Sequence, residues 1–173
     1  MATWTDTFKR TILSATIASL TSTVVLALLA RAAGKGALQP VNATSHWLNG
    51  EGAAAFEGVD AAHTAVGYTT HHAATIFWAF FFEAGRRNSP ARDADGLLRQ
   101  ALIVSAIAAA VDYGPTPKRF TPGWEFVLSK RAMAVAYAAM AIGLAAGAEM
   151  TRPRLGRRTR PARLLVKDGR RVT

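Results

Sequence analysis

The chain has 173 residues, half of which are hydrophobic, and this length fits one domain rather than two. It contains no cysteine, which excludes disulfide bonds, thiolate metal sites and thiol catalysis. The formal net charge of +10 is compatible with binding nucleic acid, with an anionic membrane surface, or with basic residues that fix membrane topology, so the positions of the charges must decide.

Four stretches of the chain are apolar and long enough to predict transmembrane helices. They span about 11–30, 61–82, 97–113 and 127–148. The first has no charged residue, and about 20 apolar residues suffice for a helix to cross a bilayer. The third is uncharged only from Gln100 to Val111, so Arg99 must reach back to the headgroups for this helix to span. We therefore predict an all-α, polytopic membrane protein with a four-helix transmembrane domain over 1–150 and a basic, disordered tail over 151–173.

Capping residues predict where the second and fourth helices begin and end. Asp60 is suited to cap the second helix, and Glu83 followed by Arg86 lies where that helix should end. Thr121 followed by Pro122 is typical of a helix start, since proline is favoured in the first helical position. This pattern predicts that the fourth helix starts near Thr121.

Tryptophans occur close to the predicted helix ends. Trp47 with Leu48 suggests a short helical turn at the membrane surface, Trp78 lies in an aromatic stretch about one turn before the charged end of the second helix, and Trp124 precedes the fourth helix. Because tryptophan is enriched at membrane interfaces, these positions predict interfacial anchors.

The distribution of lysine and arginine predicts the orientation. With four spans and a cytoplasmic N-terminus, most of the 21 basic residues fall on the cytoplasmic side. The remaining ones fall on the outer side, at Arg31, Lys35, Lys118, Arg119, Lys130 and Arg131. Because cytoplasmic segments are enriched in basic residues, both ends of the chain are predicted to be inside.

Two adjacent histidines, His71 and His72, lie near the middle of the second predicted helix. Ionisable residues at that depth are costly and mark a polar contact, a ligand site or a transport path. Neighbouring residues point about 100° apart on a helix, so at least one histidine should face the bundle. Three interpretations remain open: hydrogen bonds to hydroxyl groups of another helix, a metal or haem ligand pair, and a group that handles protons or binds substrate.

A second polar group is expected near the outer side. His46, His63, Asp112 and Glu125 come from different segments but fall at one predicted level. Histidine and carboxylate groups are ligands for divalent cations. The alternative is local pairing, with Asp112 near basic residues and Glu125 at the start of the fourth helix. Together with His71 and His72, these residues form a candidate polar or ligand cluster whose metal, if any, the sequence does not identify.

The last predicted helix carries a G-x-x-x-G spacing at Gly143 and Gly147, extended backwards by Ala139. Small residues at this spacing let helix backbones approach closely. The spacing predicts a packing face, either within the bundle or in a homodimer.

The tail is predicted to lie on anionic lipid headgroups at the inner surface. The residues predicted for this contact are Arg152, Arg154, Arg157, Arg158, Arg160 and Arg163. Nucleic-acid binding is not favoured, because no aromatic residue is interleaved for base stacking.

Motifs of soluble enzymes are missing: the chain has no nucleotide-binding glycine loop, no H-E-x-x-H and no G-x-S-x-G. The sequence therefore favours a non-enzymatic role in packing, as an accessory protein, or in transport of a small solute or ion, and it predicts no cofactor. The alternative is a metal- or haem-binding membrane protein with redox or enzymatic activity.

Three phrases, at 42–50, 63–78 and 112–124, resemble a group of small bacterial inner-membrane proteins with no established activity. The resemblance covers about residues 10–150. It implies a location in the bacterial inner membrane and leaves the activity open. It also implies that one pattern includes His46, His63, His71, His72 and Asp112.

Overall fold

The computed structural model describes residues 3–91 and 93–152. This part of the chain is all-helical and contains no strand. The α-helices are α1 (Trp4–Ala32), α2 (Gln39–Ala43), α3 (His46–Asn49), α4 (Val66–Asn88), α5 (Ala94–Tyr113) and α6 (Lys130–Met150). Short 3-10 helices occupy Glu51–Ala55, Lys118–Phe120 and Trp124–Phe126, and a π-helical turn, Ala61–Ala65, leads into α4.

Three of the long helices, α1, α5 and α6, are long and apolar enough to cross a membrane. Helix α4 is also long, with 23 residues, but its first half contains a run of polar residues that includes His71 and His72. The fold therefore provides three clear candidate spans, with α4 packed beside them.

The four long helices form a bundle in which α1 and α6 make the most extensive contact. Helix α4 packs on α1 and helix α5 packs on α6, whereas α4 and α5 contact each other much less. Helix α1 runs antiparallel to both neighbours, since Ser14 lies beside Glu83 and Gly147. The chain start, the α4–α5 turn and the end of α6 consequently lie at one end of the bundle, and the segments 33–65 and 114–129 lie at the other.

Two helix ends differ from the prediction because charged residues do not interrupt these helices. Helix α1 begins at Trp4, where Thr3 Oγ1 accepts from Asp6 N at 3.1 Å and Thr3 N donates to Asp6 Oδ2 at 3.0 Å. This reciprocal cap stabilises a start several residues before the predicted one. Helix α4 continues past Glu83 to Asn88, so the prediction that Glu83 ends the helix was wrong.

Capping was predicted correctly for Asp60 and wrongly for Thr121. The Asp60 carboxylate accepts from His63 N at 2.6 Å, at the start of the helical segment that leads into α4. Helix α6 instead begins after Ser129, whose hydroxyl accepts from Ala132 N at 3.3 Å. Thr121 and Pro122 lie in the preceding loop, because Thr121 donates to Lys118 O at 2.9 Å rather than capping a helix.

The predicted small-residue face packs within the bundle. A Cβ atom built on Gly143 would lie 2.5 Å from Ala18 Cα, and one on Gly147 would lie 2.6 Å from Ser14 Cα. Ala139 on the same helix is also buried. The two glycines therefore allow α6 to touch the backbone of α1, and this face is not available to a second copy of the chain.

The segment 33–65 folds as a compact cover on its end of the bundle. Asn42 is fully buried and donates from Nδ2 to Phe56 O at 2.8 Å and to Gly58 O at 3.1 Å. Its Oδ1 accepts from Thr64 Oγ1 at 2.8 Å. A Cβ on Gly67 would lie 2.0 Å from Val41 O, so only glycine lets this cover sit directly on α4.

Candidate ligand-binding site

The two mid-helix histidines join α4 to α1. His71 is 7% exposed, and its Nε2 lies 3.0 Å from Ser22 Oγ. His72 Nδ1 lies 2.8 Å from Ser19 Oγ. Both imidazoles thus use the hydroxyl groups of a neighbouring helix, which is the first of the three arrangements that the sequence left open.

The other two histidines hold the outer segments. His46 is buried, with Nδ1 2.9 Å from Ala43 O and Nε2 3.1 Å from Lys118 O, and so links segment 33–65 to segment 114–129. His63 Nδ1 lies 2.9 Å from Asp60 Oδ2. The hydrogen bonds that Asp60 receives from the backbone and ring of His63 lower the pKa of its carboxyl group.

The predicted acidic ligands also have hydroxyl partners. Asp112 Oδ2 accepts a hydrogen bond from Tyr137 OH at 2.6 Å. Glu125 Oε1 accepts from Thr121 Oγ1. The expected pairing of Asp112 with a basic residue is therefore not what the structure has.

The six candidate ligand residues make separate contacts rather than one cluster. Within residues 3–91 and 93–152, no three histidine or acidic side chains are grouped so that they could hold a metal ion. Each candidate residue instead has its own local or interhelical partner, and their acting together as one polar or ligand group stays a prediction.

A cavity of about 230 Å³ lies between α4, α5 and α6 at the end covered by the outer segments. Asp112 and His71 line it, together with aromatic side chains from the helices and both segments. The aromatic lining residues are Trp47, Trp78, Phe120, Trp124 and Tyr137. The weak contact between α4 and α5 leaves room for this cavity, and exposed Ala74 lies along its lining on α4.

Hydrogen bonds fix two of the tryptophans around the cavity. Trp47 Nε1 donates to Thr70 Oγ1 at 3.1 Å, and Trp124 Nε1 donates to Thr44 Oγ1 at 3.2 Å. Trp124 is only 3% exposed, so the prediction of an interfacial anchor was wrong for this residue. The indole N–H groups are satisfied by threonine, which leaves the rings to supply apolar and π surface.

A buried ion pair that the sequence interpretation missed lies at the opposite end of the bundle. Glu83 is 3% exposed, accepts from Ser14 Oγ at 2.7 Å and pairs with Arg86 Nη1 at 2.6 Å. The sequence feature that could have revealed this ion pair is the three-residue spacing of Glu83 and Arg86, which places them on one face of a helix.

Of the residues predicted to contact lipid headgroups, only Arg152 is described, and its Nη1 lies 3.0 Å from Glu149 Oε2. The other five lie outside the described residues, at Arg154, Arg157, Arg158, Arg160 and Arg163.

The described part of the chain is all-helical, with three helices long and apolar enough to cross a membrane and an aromatic cavity near one end of the bundle. No known family model, curated protein or solved structure matches the chain. The geometry of the cavity and the chemistry of its lining are therefore the basis for assigning a function.

Proposed function

We propose that all four long helices span the inner membrane of a bacterium. The polar residues that lower the hydropathy of α4 support this, because His71, Thr75 and Glu83 are buried against the other helices. Phe77, Phe80 and Phe81 of the same helix are exposed, as expected for a surface in contact with lipid. Helix α4 is thus polar towards the bundle and apolar towards the outside.

The proposed orientation places both ends of the chain in the cytoplasm. The end of the bundle with the chain start and the α4–α5 turn carries Lys9, Arg10, Arg86 and Arg87. Helix α6 also ends there, and the basic residues of the tail follow it in sequence, so the positive-inside rule favours this end as cytoplasmic. Segments 33–65 and 114–129, with the cavity beneath them, would then face the outside.

Reporter fusions test this topology. We expect a reporter that is active only outside the cytoplasm to be inactive when fused after Thr173 and active when inserted at Gly52, an exposed position in the short 3-10 helix Glu51–Ala55 with open space around it. Activity at Thr173, or no activity at Gly52, would contradict the four-span orientation.

The role that the geometry supports best is non-enzymatic binding of a small ligand in the cavity, as part of an accessory or transport function. The observation that supports this role is the cavity, whose lining surface is mainly apolar and comes from five aromatic residues, with four threonines, one histidine and a single carboxylate among the other lining residues. Binding sites for small molecules are typically apolar with a small number of placed polar groups. The volume of about 230 Å³ lies below the range of about 300–1,000 Å³ that is usual for drug-sized ligands, so the ligand should be small.

A cavity-blocking variant tests ligand binding. Three probes of one shape and different charge are suitable: choline, 3,3-dimethylbutan-1-ol and 3,3-dimethylbutanoate. We expect at least one to change the tryptophan fluorescence of the protein in maltoside detergent, since three of its four tryptophans line the cavity. Ala74→Phe should abolish that change by filling the cavity.

Ala73→Phe is the matched control, because Ala73 is the exposed neighbour of Ala74 but does not line the cavity. It should bind the probe like the unmodified protein. If no probe binds, or if the two variants behave alike, the proposed ligand-binding function is wrong.

No arrangement among the described residues favours the alternative of a metal- or haem-binding enzyme, because His71 and His72 are each hydrogen-bonded to α1. Contact of the arginine tail with anionic lipid remains a proposal, as does a homodimer or a partner in a membrane complex. The face that contains Gly143 and Gly147 cannot form such an interface, since α1 already covers it.

A further inference from the structure

We propose that the cavity binds a small organic ammonium ion, with Asp112 as its counter-ion and the tryptophan rings as its walls. This rests on the proposed ligand-binding function and adds the charge and chemical class of the ligand. The group that the cavity would recognise is an alkylated or primary ammonium. Such a group can belong to a free solute or to a lipid headgroup.

Most acidic side chains of the protein already have a partner or are exposed to solvent. Asp60, Glu83 and Glu149 each pair with a cationic or ionisable base, and Asp6 and Asp93 cap helices. Glu51, Glu57 and Asp95 are exposed to solvent. Among residues 3–91 and 93–152, this leaves Asp112 and Glu125 as the only carboxylates that are neither exposed, nor capping, nor ion-paired.

These two carboxylates lie at the cavity end of the bundle. Asp112 lines the cavity itself, and Thr121, another lining residue, donates a hydrogen bond to Glu125. Glu125 Oε2 is buried and has no hydrogen-bond partner within the described part of the chain. Among the described residues that line the cavity, Asp112 supplies the only acidic side chain and no lysine or arginine opposes it, so the cavity is suited to a cation and not to an anion.

The side chains that line the cavity also favour a cationic ligand over an anionic one. No lysine or arginine is among the described residues that line the cavity, and the N–H groups of Trp47 and Trp124 are used by threonines. An anionic ligand would therefore find few donors. The faces of Trp and Tyr rings attract ammonium groups, and desolvated contacts of this kind are strong. Trp124 and Tyr137, which both line the cavity, pack against each other with their ring centroids 5.4 Å apart.

The charge series of probes tests the inference. We expect choline to bind more tightly than its neutral isostere 3,3-dimethylbutan-1-ol, and 3,3-dimethylbutanoate not to bind. Asp112→Asn removes the charge but keeps an oxygen that can accept from Tyr137. It should weaken choline binding at least about tenfold, as expected when one partner of a buried charge pair is removed, and leave the affinity for the neutral alcohol unchanged.

Asp95→Asn is the matched control, because it removes the same charge from the same helix at an exposed position outside the cavity. Its affinity for choline should equal that of the unmodified protein. Equal binding of choline and the neutral alcohol, or an effect of Asp112→Asn no larger than that of Asp95→Asn, would overturn the ammonium inference and leave ligand binding standing. Failure of all three probes would reject both.

Nanodiscs distinguish the two sources of the ammonium group. Choline that binds equally well in phosphatidylglycerol and phosphatidylcholine bilayers would support a free solute as the ligand. Choline binding that is kept in phosphatidylglycerol but lost in phosphatidylcholine would mean that the phosphatidylcholine headgroup competes for the cavity. That result would support a lipid headgroup as the ligand.

Discussion

Gly143→Leu is expected to prevent stable packing of α1 against α6, with the largest loss of stability of any single change considered. The added side chain would begin 2.5 Å from Ala18 Cα and 2.9 Å from Ala18 N, which are backbone atoms that cannot rotate away. Inserting side chains into a packed interior costs typically about 1–3 kcal/mol, and a backbone collision should exceed the upper end. Thermal unfolding and size-exclusion chromatography in detergent would measure this effect.

Gly85→Leu is the matched control for that substitution. Gly85 lies in α4 and is exposed, and a Cβ atom added to it would have no neighbouring atom within 4 Å. Its replacement should leave the melting temperature and the elution profile almost unchanged. Equal behaviour of the two leucine variants would show that α6 does not approach α1 as closely as described.

Glu83→Gln is expected to lower the free energy of unfolding by about 3–5 kcal/mol, as is typical when one partner of a buried ion pair is removed. The substitution keeps an oxygen for Ser14 but leaves the Arg86 guanidinium, whose side chain is 9% exposed, without its counter-charge. Thermal or denaturant unfolding in detergent measures the change. The double variant Glu83→Leu/Arg86→Leu should recover part of the loss, because no unpaired charge remains.

Glu149→Gln provides the comparison, since it alters an acidic residue that is 51% exposed and also pairs with an arginine three residues on. Exposed pairs contribute at most about 1 kcal/mol, so this variant should unfold nearly like the unmodified protein. If Glu83→Gln were no more harmful than Glu149→Gln, the buried pair would not contribute to the stability of the bundle.

The sequence was sufficient to predict the all-helical fold, because apolar stretches long enough to cross a bilayer are strong local signals. It was less reliable at the helix ends. Lys9 and Arg10 mark where a membrane surface would lie along α1, but they do not end the helix. Similarly, Pro122 looks like a first helical residue, whereas the contacts of the preceding loop decide that α6 begins only after Ser129.

The candidate site was predicted in part. His71 was chosen for its depth in the second helix and Asp112 for its level near the outer side, and both line the cavity. Trp124 was assigned to the membrane surface because a sequence shows composition but not which segments fold over one another. The closure of segments 33–65 and 114–129 over the bundle, through contacts such as His46 to Lys118 O, depends on tertiary packing that has no local pattern.

In the proposed four-span topology, the hydroxyl groups of α1 bear on how the chain would enter the bilayer. Thr11 and Ser22 donate back to carbonyl groups one turn earlier, at 3.0 and 2.8 Å, and Glu83 is neutralised within its own helix by Arg86. Helices α1 and α4 therefore carry partners for part of their own polarity before they meet another helix. We expect the ribosome to deliver the helices to the insertion machinery one at a time, with contacts between helices forming after insertion.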